Sequence, residues 1–495
     1  MTKRTIVPIG PYHALQEEPE FFKLHVEGET VVHLDIELGY NHRGIEKLSE
    51  SKDFEETIFL VERICGICST SHPLACVQAI EEAGGITVPE RALFIRTIVG
   101  ELERIHSHLL WLGLAGHFIG FNTIWMWAWR FREDVLNILE LISGNRNHYG
   151  MMKPGGVRRD ILDTDIPAIN KLLDGLQDPI KMFRDAVVED PLLRARTQGI
   201  GILSREKAIA YGALGPTARA SGVAIDVRRD HPHAAYGMVD WDVVTCKHGD
   251  VFDKAVVRIL EMFESIRIIE QCLVSLGTVK GPVDSDPKCV APGEGIGHYE
   301  APRGEVFHYI RSDGGNRPVR HKVRAPSFMN VPTNCETVLG ETVADATIIL
   351  AAVDPCYCCT ERMAVAVDSE GGQRLWDARE LIRLSCEKTD RLADETGWSG
   401  PQPPGDMSPA RRPPTKAGPA GDMSPARRPP TKAGHAVGTG VALGPGAAVG
   451  AGHAREQKGA GIGAALVPEH KVARMAASYK AMQVARMAAS STDDT

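Results

Sequence analysis

The chain has no surplus of positive charge. Across 495 residues, 56 lysines and arginines stand against 64 aspartates and glutamates, a net charge of −8. A dedicated nucleic-acid binder needs a basic field along its binding face, so that class is set aside. Aromatic residues are few, at 6%, within a hydrophobic share of 43%, the balance of an ordinary globular protein with length enough for about three domains. No apolar stretch of secretory type follows Met1-Thr2-Lys3-Arg4, and the eleven cysteines are odd in number and irregularly spaced. Both features predict a reducing, cytoplasmic setting, where paired cysteines serve as metal ligands or redox groups more often than as structural disulfides.

Charge is unevenly distributed. Residues 1–396 carry −14 and residues 397–495 carry +6. The basic end is also low in complexity: the block from Gly405 to Gly418 recurs at 421–434, and Val472 to Ser478 recurs at 484–490. Gly, Pro and Ala dominate there, too little apolar area to offset chain entropy, so 397–495 is expected to be a disordered tail beside a single domain over 1–396.

Within that domain, Phe22, Leu24 and Val26 alternate with polar residues, as do positions in Val31 to Ile36, and Glu27-Gly28-Glu29 is a turn between two strands. Pro89 opens a long helical pattern, and further helices are expected near 124–143, 166–188, 204–211, 251–277 and 335–352, with strands and loops over the Gly/Pro-rich segment 281–331. Ile105 to Trp129 contains no Asp, Glu, Lys or Arg, yet three histidines and a Gly-Phe-Asn break at 120–122 favour two buried helices over a membrane span. The fold class expected is α+β, mostly α: a large helical bundle with a smaller N-terminal sheet over about 1–50 and a disordered C-terminal tail.

Chemistry concentrates in two pairs, Cys65-Gly66-Ile67-Cys68 and Cys356-Tyr357-Cys358-Cys359. A two-residue gap lets both thiolates face one metal across a tight turn. Two pairs make a four-sulfur set, for which structural zinc, nickel and iron are all open on ligand chemistry, and a redox disulfide is a further alternative. The 287 residues between the pairs weigh against a zinc ribbon and suggest a site joining distant parts of a helical body. Cys358, within the second pair, reads as a small buried side chain.

Five segments taken in order carry a resemblance: Phe22-Lys23-Leu24-His25-Val26-Glu27-Gly28-Glu29, Gly39-Tyr40-Asn41-His42-Arg43-Gly44-Ile45-Glu46-Lys47-Leu48, Arg63-Ile64-Cys65-Gly66-Ile67-Cys68, Glu300-Ala301-Pro302-Arg303-Gly304, and Asp354 to Arg362. Together the sequence resembles the large, catalytic subunit of nickel-iron hydrogenases, in the energy-converting, membrane-complex group that includes formate hydrogenlyase and carbon monoxide-induced hydrogenases. The resemblance implies a nickel-iron centre with carbon monoxide and cyanide on iron, Cys65 and Cys356 binding nickel, and Cys68 and Cys359 bridging nickel to iron. It further implies Glu27 as the proton-gate glutamate, Arg303 over the iron diatomics, and His72 hydrogen-bonded to a bridging sulfur. Glu46, with the backbone carbonyl of Val323, would hold magnesium or iron, and Arg362 would replace the usual histidine near that ion. Asp354 would cap the turn that presents Cys356.

The same resemblance implies partners: a small hydrogenase subunit carrying the iron-sulfur clusters that this chain's scattered remaining cysteines do not form, and integral-membrane subunits that place it on the inner face of the cytoplasmic membrane. A maturation protease cutting after Arg362 is a further expectation. Two alternatives differ in kind. The quinone-site subunit of respiratory complex I resembles the segments at 42–47 and 107–112 but with the metal cysteines lost, and a zinc-stabilised structural subunit would keep the cysteines without hydrogenase activity.

Overall fold

The computed structural model describes residues 4–13 and 16–360, with isolated positions between 366 and 391. The expected tail at 397–495 and Arg362 lie outside the described residues. The chain divides into two units, Met1–Val365 and Ala366–Thr495. Its main elements run β1 (Arg4–Ile9), β2 (Phe21–Glu27), β3 (Thr30–Glu37), α1 (Ile45–Ser49), α2 (Phe54–Glu62), α3 (Ser71–Gly84), α4 (Glu90–Phe118), α5 (Asn122–Ser143), α6 (Ile166–Glu189), α7 (Val251–Thr278), β4 (Gly293–Ala301), β5 (Gly304–Ser312), β6 (Arg320–Arg324) and α8 (Val343–Ala352).

The first three strands form an antiparallel sheet in the order β1-β2-β3. Phe22, Leu24 and Val26 turn inward at every second position and pack with Val31, Leu34 and the Ile348-Ile349-Leu350 face of α8. The turn at Gly28, with φ +68°, closes the expected hairpin. Strand β1 adds an edge that the sequence pattern does not announce, because its only buried residue is Ile9.

The helical body is built around α4, whose 29 residues are buried on nearly every face, charged ones included. Pro89 starts it, with the fixed φ that suits a helix entry. Gly120, at φ +87°, separates it from α5, so the apolar run Ile105–Trp129 resolves into two helices. Among the described residues no helix is long and apolar enough to cross a membrane. The single helix expected over 335–352 is broken: Gly340 takes φ +82°, and the Thr342 hydroxyl accepts the Asp345 N–H at 3.2 Å to cap a fresh start for α8.

A second antiparallel sheet, β4-β5-β6, lies against α3. The contact is made backbone to backbone. A Cβ on Gly293, Gly295 or Gly297 would lie 2.4, 2.0 or 1.8 Å from the carbonyl oxygens of Ala83, Ala79 and Ala75, so only glycine on that face of β4 permits the approach. This seats the first turn of α3 against the sheet, and the tip of the β4–β5 hairpin carries Arg303 into the same region.

Candidate metal centre

The two cysteine pairs meet. Cys65 and Cys68 occupy the turn between α2 and α3, and Cys356 and Cys359 follow α8. Cys356 Sγ is 3.1 Å from Cys65 Sγ and 3.1 Å from Cys359 Sγ, and the three sulfurs lie within 4.8 Å of one another, while Cys68 follows Cys65 in the same turn. All four sulfur-bearing residues are buried. The N–H groups of Ile67 and Cys68 each donate to Cys65 Sγ at 3.3 Å. The Cys65 thiol is held well below its ordinary pKa, chiefly by the hydrogen bond from Cys356 and then by those from Cys359 and Cys68. A buried thiolate ringed by three further sulfurs is a donor set suited to a soft cation such as nickel, iron or zinc.

Neighbouring elements hold this geometry. No side chain at the N-cap of α3 caps it; instead Glu103, on the neighbouring α4, accepts from the N–H of Ser71 at 3.1 Å and from the Thr70 N–H and Ser71 hydroxyl. A carboxylate at a helix N-terminus also meets the positive end of the helix dipole. Arg43 secures the approach to Cys65, donating to the carbonyls of Arg63 at 2.9 Å and Ile64 at 2.8 Å. In the second pair, Ser327 Oγ accepts the Cys356 N–H at 3.0 Å.

Arg303 reaches the cluster, with Nη1 3.8 Å from Cys68 Sγ and 3.2 Å from Ser107 Oγ. Asp354 does not cap the turn before Cys356 as expected. It takes φ +55° and grips Arg303 from two sides, its carboxylate 2.7 Å from Nη2 and its carbonyl accepting from Nε at 2.8 Å. His72 also arrives, with Nε2 3.5 Å from Cys359 Sγ.

Glu27 does not join this group. It closes β2 at the hairpin turn, paired with Arg4 at 2.8 Å. The strand meets the cysteine region at its other end, where the rings of Phe22 and Tyr357 are 6.0 Å apart. Five residues of strand at about 3.3 Å each place Glu27 roughly 16 Å from that contact. The carboxylates brought to the cysteines are Glu17 and Glu18, in the loop before β2. Glu18 Oε2 accepts the Cys358 N–H at 2.6 Å, and burial raises its pKa. Glu17 opens to solvent at one side yet lines a pocket with Asp354, Pro355 and Tyr357, and desolvation there pushes it up to about 7. The signal available in the sequence was an acidic run, Glu17-Glu18-Pro19-Glu20, with no basic neighbour, directly ahead of an apolar strand.

Glu46 and Val323 are adjacent, but through the wrong group for a metal site. Val323 donates its N–H to Glu46 Oε1 at 2.8 Å, and Lys322 Nζ sits 3.2 Å from Oε2. A divalent cation at Glu46 would have to displace that ammonium, so these residues as arranged do not fit magnesium. Glu46, Val323, His72, Cys358 and Cys359 line a common cavity of about 140 Å³. Cys358 itself is half-buried, and burial pushes its thiol pKa up.

The chain is similar to known proteins over most of its length. The chain matches the family described as "Respiratory-chain NADH dehydrogenase, 49 Kd subunit" over residues 119–292 and 283–362, and the family "Nickel-dependent hydrogenase" over 43–114. It is 40% identical over 401 residues to the membrane-bound hydrogenase subunit alpha of Pyrococcus furiosus, spanning 78% of this chain and 93% of that protein. The carbon monoxide-induced hydrogenase of Rhodospirillum rubrum is 38% identical over 362 residues, 72% of this chain and 99% of that one. A solved chain of the membrane-bound sulfane sulfur reductase, an archaeal respiratory membrane complex, aligns with a TM-score of 0.69 at 33% identity, covering 72% of this chain and 98% of the other.

Proposed function

Because the chain belongs to the family that joins the large subunits of energy-converting nickel-dependent hydrogenases to the 49 kDa subunits of respiratory NADH dehydrogenase, we propose that it is the catalytic subunit of a nickel-iron hydrogenase, interconverting H2 with two protons and two electrons. The observation that carries this reading is the convergence of Cys65, Cys68, Cys356 and Cys359 on one buried point, with a guanidinium beside them. A nickel-iron pair with carbon monoxide and cyanide on iron, bound by these sulfurs, would supply the chemistry that splits H2.

The chain's own residues do the rest. Arg303, locked by Asp354, holds positive charge against Cys68 and helps close the centre to water. Glu18, one hydrogen bond from the second cysteine pair, takes up or delivers the proton, and Glu17 links it to the pocket that opens outward. Electrons pass to an iron-sulfur partner subunit, and integral-membrane subunits place the chain on the inner face of the cytoplasmic membrane. The names of relatives as members of membrane-bound complexes support the association with a membrane.

A second reading, a subunit of NADH dehydrogenase type without H2 chemistry, is favoured by the longer match of that family along the chain. Metal content and infrared spectra of the complex purified without oxygen separate the two. Nickel with iron, and stretching bands of carbon monoxide and cyanide, are the result expected here. Zinc or no metal, with those bands absent, would overturn the hydrogenase reading.

A further inference from the structure

Among the described residues, a second group of metal-binding side chains meets apart from the sulfur cluster. The donor atoms of Cys76, His308 and His321 lie within 4.8 Å of one another, and all three residues are fully buried. They come from three elements that the fold presses together: Cys76 from α3, His308 from β5 and His321 from β6. Gly293, Gly295 and Gly297 let α3 settle onto the sheet, which brings Cys76 down to the rings. The register brings the rings to each other: His308 pairs with Val323 and Ile310 with His321, so the two histidines are diagonal neighbours on one face of the sheet.

His321 is oriented as a ligand is. His308 Nδ1 and His321 Nε2 face each other at 2.9 Å, and His321 Nδ1 lies 2.9 Å from Ser49 Oγ at the end of α1. Ser49 donates its one hydrogen to the main-chain oxygen of Glu46 at 2.8 Å, so it accepts from His321 Nδ1–H. Burial favours the neutral ring, and a neutral ring with its hydrogen on Nδ1 carries a lone pair on Nε2, here turned toward His308. A partner outside the donor set that fixes the far nitrogen is the arrangement that orients metal-ligating histidines.

We propose that Cys76, His308 and His321 form a second metal site, which takes a zinc ion on one thiolate and two neutral imidazoles. Zinc bonds nitrogen at about 2.0–2.1 Å and sulfur at about 2.3 Å, so a tetrahedral ion needs its donors about 3.3–3.6 Å apart. The two rings need only open by a few tenths of an ångström from hydrogen-bond distance to admit it. His308 then keeps its one hydrogen on Nε2, and three protein donors leave the fourth position to a trapped water. The ion replaces the Cys76 S–H proton, which is released to solvent while the chain folds, since all three donors are closed to water once α3 has docked. No electron moves. The ion ties α3 to both strands, a structural role that does not rest on the function proposed above.

The test measures zinc in the full chain carrying Cys65→Ser and Cys356→Ser, which removes the sulfur cluster as a competing site, after expression with zinc in the medium. One zinc per chain is expected, with an X-ray absorption first shell of one sulfur at about 2.3 Å and nitrogen or oxygen neighbours at about 2.0–2.1 Å. Adding His321→Asn should reduce that zinc to background. Cys76→Ala, which changes core volume least, gives the second arm: in the otherwise wild-type chain it should carry one zinc fewer than wild type, with thermal melting as the check on the fold. A folded Cys65→Ser, Cys356→Ser chain without zinc, zinc bound by two or more sulfurs there, or a zinc content unchanged by Cys76→Ala would overturn the proposal and leave the two rings sharing a hydrogen bond. Zinc at this site in a chain that carries no nickel when purified from its host upholds the proposal while removing the hydrogenase reading. Nickel in a complex without zinc does the reverse.

Discussion

Two groups of buried polar side chains border α4, and they balance charge in opposite ways. In the first, Glu101, Asp226, Glu261 and Glu300 interleave with Arg104, Arg219 and Arg228. Arg219 Nη1 lies 2.7 Å from Glu300, Arg228 Nη2 lies 2.7 Å from Asp226, and Arg219 Nη2 lies 2.8 Å from Glu261. His108 adds a fourth nitrogen donor, 2.8 Å from Glu261. In the second, four sulfurs crowd together with one guanidinium, and that guanidinium is already committed to Asp354. The first group sets three guanidiniums against four carboxylates, so that nearly all of its charge is balanced from within, and it acts as scaffold. The second gathers more anionic ligand capacity than the protein neutralises, which is what a cation site requires.

The sharpest way to break that contrast is to remove a sulfur. Cys356→Ser should abolish nickel binding and reduce H2-dependent dye reduction to background, while leaving the thermal melting of the chain close to wild type. A variant that retains nickel would mean that the cluster is not the metal site. Glu18→Gln comes next, with the nickel content expected to stay intact and turnover expected to fall by about 10²–10⁴, the usual contribution of a positioned acid-base group. Elemental analysis beside turnover distinguishes a lost proton route from a lost metal.

On the scaffold side the same logic gives a stability effect without a chemical one. Arg219→Met leaves buried carboxylates without their partner and should destabilise the chain by about 3–5 kcal/mol in denaturant unfolding. Acid should act on the same network. Burial raises the Glu101 pKa, but Arg104 and Arg228 outweigh it and bring it from 4.5 down to about 2. A carboxylate depressed in the folded state contributes stability that is present above about pH 4.5 and lost as pH falls through about 2. Denaturant midpoints measured across that window should therefore drop, and Glu101→Gln should flatten the drop. A midpoint insensitive to acid would mean that the network's charges are not what holds α4 to α7.

Much of this contrast was legible in the sequence on the site side and hidden on the scaffold side. The cysteine pairs have metal-ligand spacing, Arg303 and His72 came with the family resemblance, and the structure brings them together. Alternation in Phe22, Leu24 and Val26, Pro89 before α4 and the break at Gly120 gave the hairpin and the helix boundaries, since those signals act locally. What escaped depends on contacts distant in sequence. Glu103 looked like one more charge on a helix, yet it caps α3 from a neighbouring helix. Asp354 looked like a cap and instead grips an arginine 51 residues away. His308 and His321 carry no motif, and only the strand register aligns them. Tertiary partners of buried polar groups cannot be read from local periodicity.

Glu27 gives the smallest effect and the most direct check on which carboxylate serves the cysteines. It stands in the most recognisable of the N-terminal motifs, but its strand carries it to the far end of the hairpin. There its side chain is 34% exposed and that of its partner, Arg4, 69% exposed. An ion pair so open to water contributes about 0–1 kcal/mol and is screened by salt. Glu27→Gln should therefore leave nickel content and turnover unchanged and move the denaturant midpoint barely, with even that shift vanishing in high salt. Glu18→Gln, nine residues earlier in the chain, should do the reverse, sparing stability while suppressing turnover. If Glu27→Gln instead suppressed turnover with nickel in place, protons would have to travel the length of β2 to reach the surface. The short route through Glu18 and Glu17 would then be wrong, whatever the metal proved to be.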